Sequence, residues 1–141
     1  MKKIYLLATL ILLIVSCNTT PVTYSYNDVK HLELSRDTLF SPTNFHYFVY
    51  VYSGGCYVCS ALKKHIIPYS LSVDDFYYCL FEKEFNKGGK FDQNDILGVS
   101  DPNEVFLIGT PSMLEIINKK IFAYYLGADA ILDALNLDVI L

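Results

Sequence analysis

Cys56-Tyr57-Val58-Cys59 stands where a β-branched and aromatic run, residues 45–52, gives way through Ser53-Gly54-Gly55 to a helix-patterned segment. Two thiols at that spacing on a strand-to-helix junction restrict the local fold closely. One helical turn brings them to the same side, and the unpaired N–H groups and positive dipole end of a first turn favour a thiolate. Cys56 is therefore expected to ionise below the free-thiol value of about 8.5. The pair reads as a redox switch. A zinc site would need two further ligands, and there is neither a second CxxC nor an HxxxH. His31, His46 and His65 are scattered, so no metal is expected.

The residues around this junction order the rest of the chain. Residues 45–52 are apolar almost throughout, which fits a central strand buried on both faces. Cys59, Leu62, Ile66 and Ile67 then recur at helical spacing, with Lys63 and Lys64 on a solvated side and Pro68 expected to stop or kink the helix. A second apolar run, residues 73–81, follows Asp74-Asp75 at its mouth. A strand, helix, strand sequence implies parallel pairing. Residues 112–117 and 120–126 flank Asn118-Lys119 as a tight hairpin, and Gly127 precedes a last helix carrying Ile131, Leu132 and Leu135. Residues 28–40 match neither period and read as a short strand or a turn of helix. Residues 85–102 contain Gly88-Gly89 and a possible short helix at 93–97, and are the least constrained stretch.

Residues 1–16 read as an address rather than as structure. Lys2-Lys3 precede a twelve-residue apolar stretch, too short to span a bilayer comfortably, and then the small Ser16. Ile14-Val15-Ser16-Cys17 resembles the lipobox of bacterial lipoproteins, which implies cleavage before Cys17 and lipidation of its thiol. An uncleaved anchor or a plain secretory signal is the alternative. On the lipoprotein reading the partition is a signal peptide over 1–16, a lipidated tether over 17–27 and a domain over 28–141. The domain would lie in the cell envelope, facing the periplasm or extracytoplasmic space, where disulfides persist. Setting aside Lys2 and Lys3 leaves nine basic side chains against 15 acidic ones, with no basic stripe, which argues against nucleic acid as a partner. With 12 Tyr, nine Phe and no Trp, the core is expected to be aromatic, its hydroxyls needing partners or water.

The CxxC opening a helix, Thr110-Pro111 before a hairpin and Gly127 before the last helix, in that order, resemble the thioredoxin-like superfamily over residues 45–137. The resemblance implies an α/β fold with a central mixed β-sheet flanked by helices. It also implies a redox-active Cys56–Cys59 disulfide that needs no other cofactor, with Cys56 as nucleophile and Cys59 as resolving thiol. Tyr57, Val58, Thr110 and Pro111 would form the substrate-binding rim, with Pro111 following a cis bond and the Thr110 backbone open to an extended substrate. An ordinary trans proline is the alternative. The implied activity is thiol-disulfide exchange on cysteine-containing protein substrates, coupled to a membrane redox partner. A non-catalytic binding module with a structural disulfide is the competing reading. The chain departs from the superfamily in three places. Gly55 replaces a common tryptophan, Tyr50 stands where many members carry a buried acid, and Tyr57-Val58 matches neither typical reductases nor strong oxidants. Cys79 reads as a buried core thiol, with a third redox thiol near Cys59 as the alternative.

Overall fold

A computed structural model describes residues 21–86 and 92–137. The expected signal peptide, Cys17 and the Gly88-Gly89 stretch lie outside the described residues. The elements are β1 (Glu33–Leu34), β2 (His46–Tyr52), α1 (Tyr57–Ser70), β3 (Phe76–Leu80), β4 (Ser112–Ile117), β5 (Lys120–Leu126) and α2 (Ala128–Ala134), with short 3-10 turns between them. They form one sheet of order β1-β3-β2-β4-β5. β3 is parallel to both β1 and β2, while β4 is antiparallel to β2 and to β5. This mixed sheet, with its strand–helix–strand crossover and closing hairpin and helix, is a thioredoxin-like α/β fold.

The central strand follows from its composition. Alternate residues of β2 supply opposite faces: Tyr50 and Tyr52 join the cluster under α1 and α2, with Cys59, Ile66, Tyr78 and Ile131. Tyr47, Val49 and Val51 join the opposite cluster, with Cys79, Phe85, Leu107 and Leu114. Helices cover the first face, and loops and 3-10 turns cover the second. The hairpin turn places Asn118 and Lys119 at φ +48° and +62°, the left-handed pair that suits a two-residue connection to the twist of its strands.

Two local expectations are corrected and a third is filled in. The second apolar run is a strand only over Phe76–Leu80; just before it the Asp75 carbonyl accepts from the Phe48 N–H and the Asp74 carbonyl from the Asn44 side-chain amide. Pro68 does not stop α1, which runs on to Ser70. The lost bond falls on the carbonyl of exposed Lys64, while the Ser70 hydroxyl and the Leu71 N–H both donate to Ile67 and close the helix. Residues 28–40 hold both expected forms: a 3-10 segment, Tyr26–Leu32, runs directly into β1.

Candidate functional site

The Ser53-Gly54-Gly55 joint reverses the chain between β2 and α1, and the Cys56 N–H donates to the Ser53 carbonyl at 3.3 Å. Cys56 is the N-cap of α1, with extended dihedrals and a sulfur that accepts the Cys59 N–H at 3.0 Å. Its carbonyl already accepts the first helical bond, from Ser60. A sulfur thus takes the capping position that a hydroxyl or carboxylate oxygen usually fills. Cys56 and Cys59 are joined as a disulfide. Their surroundings differ sharply: Cys56 is partly exposed and Cys59 is fully buried, while Tyr57 is 86% and Val58 41% exposed. An incoming thiolate has access to one sulfur and not to the other.

Strand register brings the second half of the site here. β2 and β4 pair Val51 with Ser112, so continuing the same register sets Pro111 opposite Tyr52 and Thr110 opposite Ser53. The Ser53 and Thr110 hydroxyls meet at 3.0 Å. The Thr110–Pro111 bond is cis, and Pro111 is buried while Thr110 stays partly exposed. The Pro111 carbonyl accepts from the Gly127 N–H at 3.0 Å. Gly127 holds φ +88°, a conformation that costs a side-chain-bearing residue, which explains a glycine at this junction between β5 and α2. Ser53, Thr110, Pro111 and Gly127 therefore lie together at the end of the sheet where the disulfide caps α1.

Beneath the disulfide lies a layer of tyrosines. Tyr50 is fully buried, and its hydroxyl is 3.5 Å from that of Tyr26. Tyr26 donates to the Cys59 carbonyl at 2.9 Å. Tyr52 stacks on Tyr26 with ring centroids 3.9 Å apart and donates to Glu33 at 2.8 Å. Burial raises the pKa of Tyr26, Tyr50, Tyr52 and Tyr78, so all four stay neutral at physiological pH. No carboxylate takes the Tyr50 position, and Glu33 is bonded to Tyr52.

Tyr26 was missed from sequence because residues 17–27 read as a polar tether. The signal was present in Ser25-Tyr26-Asn27-Asp28. The Ser25 hydroxyl accepts from Asn27, and the Asp28 carboxylate accepts from the Ser25 N–H at 2.8 Å, a capping box that starts ordered structure before residue 28. Lys63 is likewise not purely solvated, since its ammonium lies 4.8 Å from the centre of the Tyr26 ring.

Cys79 pairs in register with Val51 and belongs to the cluster on the sheet face opposite Cys59. The sheet separates the two sulfurs, so Cys79 is a core thiol set apart from the Cys56–Cys59 disulfide. Burial, with Glu82 and Glu33 adding, pushes its thiol up to about 12. Among the described residues no three His, Cys, Asp or Glu side chains converge as metal ligands, and no helix is long and apolar enough to cross a membrane. His46, the first residue of β2, instead meets Glu115 of β4 at 2.9 Å.

No known protein family matches the chain, and no curated protein does. Among solved structures it is similar to thioredoxin f2 of Chlamydomonas reinhardtii, at 19% identity over 74% of this chain and 93% of that one, with a TM-score of 0.46. The sheet order and strand register themselves define the fold.

Proposed function

We propose that this chain is a thiol-disulfide oxidoreductase of the cell envelope, tethered to the membrane through a lipidated Cys17 and acting on protein cysteines. The fold and the CxxC-spaced disulfide support redox exchange. The observation that carries the reading is the asymmetry of the two sulfurs, one capping a helix in partial contact with solvent and the other fully buried behind it.

In the reducing direction, the Cys56 thiolate attacks one sulfur of a substrate disulfide. That S–S bond breaks, the other substrate sulfur leaves as a thiolate, and Cys56 is joined to the substrate. Deprotonated Cys59 then attacks the Cys56 sulfur, expels the second substrate thiolate and restores the Cys56–Cys59 bond. Two electrons pass to the substrate, and the two cysteine protons end on its two thiols. With Tyr50 in place of an acid, the base for the Cys59 proton is water or the departing substrate thiolate. Oxidation of a substrate dithiol runs the same steps backwards. A membrane redox partner resets the pair through the same exchange. Tyr57, Val58, Thr110 and Pro111 form the rim on which an extended substrate segment docks, through the Thr110 backbone.

The test is the equilibrium reduction potential of the pair in glutathione and dithiothreitol buffers, read by alkylation and intact mass, with a Cys59→Ser trap for mixed disulfides. A value of about −120 to −180 mV identifies an oxidase or isomerase, and one of about −230 to −280 mV a reductase. A pair that never cycles and traps nothing overturns the enzymatic reading in favour of a binding module. Globomycin-sensitive processing and palmitate labelling lost in Cys17→Ala test the tether.

A further inference from the structure

A part-buried hydroxyl that touches the first turn of the active-site helix comes from outside the CxxC and outside the cis-proline loop. Tyr26 precedes β1, and it reaches across to donate to the Cys59 carbonyl at 2.9 Å. A phenol has one hydrogen to give. With that hydrogen on Cys59, the 3.5 Å contact to Tyr50 has Tyr50 as its donor. The chain of bonds therefore runs from Tyr50 through Tyr26 to the carbonyl of Cys59. The Tyr26 ring is fixed from one direction by Tyr52 and is approached by the Lys63 ammonium. Cys59 in turn directs its N–H at the Cys56 sulfur.

We propose that Tyr26 is a positioning residue for the redox pair: by holding the Cys59 carbonyl it keeps the first turn of α1 in the geometry that points the Cys59 N–H at the Cys56 sulfur. This rests on the oxidoreductase reading. The consequence is electrostatic. When the disulfide opens, the N–H bond to Cys56 becomes charge-assisted and stabilises its thiolate. Loosening that turn weakens the bond, raises the Cys56 pKa and disfavours the reduced form. The charged groups facing this layer are Lys63 from α1 and Glu33 from β1, the latter engaged by Tyr52; β2 and β3 contribute the neutral hydroxyls of Tyr50 and Tyr78.

The experiment compares the wild-type chain with Tyr26→Phe, which keeps the stacked ring and deletes the hydroxyl. Both are reduced by phosphine, and Cys56 alkylation is followed from pH 4 to 10. In Tyr26→Phe the profile is expected to move to higher pH by about half a unit to one unit. The equilibrium with glutathione moves towards the protein disulfide by about three- to tenfold, and tenfold is about 30 mV more negative. Tyr50→Phe gives a smaller shift in the same direction. Tyr77→Phe, which deletes a hydroxyl bonded to Asn44 on the opposite sheet face, controls for stability alone. A Tyr26→Phe protein that melts earlier with an unmoved alkylation profile overturns the proposal, as does an unmoved profile in Tyr50→Phe should Tyr26→Phe not fold. If the wild-type pair fails to exchange with glutathione, the enzymatic reading fails separately, because the alkylation profile of the phosphine-reduced protein still reports on Tyr26.

Discussion

On the helical face of the sheet, Cys59 is fully buried with Tyr50, Leu62 and Met113; on the opposite face, Cys79 is as deeply buried with Val51, Phe85 and Leu107. Both are small apolar residues in a dense core. They differ in what adjoins them. Cys59 sits one helical turn from a capping sulfur that solvent reaches, whereas among the described residues the Cys79 thiol makes only a long contact to the neighbouring Leu80 carbonyl. Burial alone does not decide whether a cysteine is reactive. The covalent route to an accessible partner does.

The sharpest way to break this comparison is to delete one sulfur from each face. Cys56→Ser is expected to reduce glutathione-disulfide exchange to the uncatalysed background, and Cys59→Ala to accumulate a mixed disulfide at Cys56, whereas Cys79→Ser leaves exchange rates unchanged in stopped-flow assays. A change in potential with Cys79→Ser would show that the sheet does not insulate the two faces.

Packing is the next contrast. Ile66 belongs to α1 and packs into the core of the helical face, Phe85 belongs to a 3-10 turn and packs into the core of the opposite face, and both are fully buried. Urea unfolding is expected to show a loss of about 2–5 kcal/mol for Ile66→Ala and about 3–5 kcal/mol for Phe85→Ala. A cost below about 1 kcal/mol for Phe85→Ala would mean that the irregular face is loosely packed.

Alkaline stability follows from both faces. The Cys79 thiol is raised from 9.0 to about 12, and the phenols of Tyr47 and Tyr125 from 10.0 to about 12. These acids hold their protons more tightly in the folded state. Below pH 9 both states are protonated and stability is flat. Above it the unfolded chain loses protons that the folded chain keeps, so stability falls by about 1 kcal/mol per pH unit for each group that titrates. Urea midpoints from pH 7 to 11 check this, and Cys79→Ala should delay the onset towards pH 10. The smallest effect is expected for Glu115→Gln, which disturbs the partly exposed contacts to His46 and Tyr125 and should change stability by less than about 1 kcal/mol.

The sequence is legible where a single physical signal dominates. Residues 45–52 announce a buried central strand, Asn118-Lys119 a hairpin, and Cys56 the start of a helix, each through composition or spacing that has few alternatives. Thr110 is placed beside the disulfide by resemblance and by no local signal, because what brings it there is strand register, which joins positions more than fifty residues apart. Tyr26 was obscured because polar neighbours on both sides mask one aromatic residue whose value lies in a tertiary contact. The end of α1 was misjudged because Pro68 costs little where the bond it forfeits belongs to a carbonyl on the solvent side.

The sheet also ends in ways that govern how copies meet. On one side β1 is two residues long. On the other, the Gly98 N–H donates to the Ile121 carbonyl and the Ile121 N–H to Val99, while a bulge at Glu115–Ile116 twists the hairpin. Short, capped and bulged borders give a neighbouring strand little backbone to extend. For molecules crowded together on a surface, as a lipid tether would crowd them, this is a built-in resistance to strand-by-strand fibril growth.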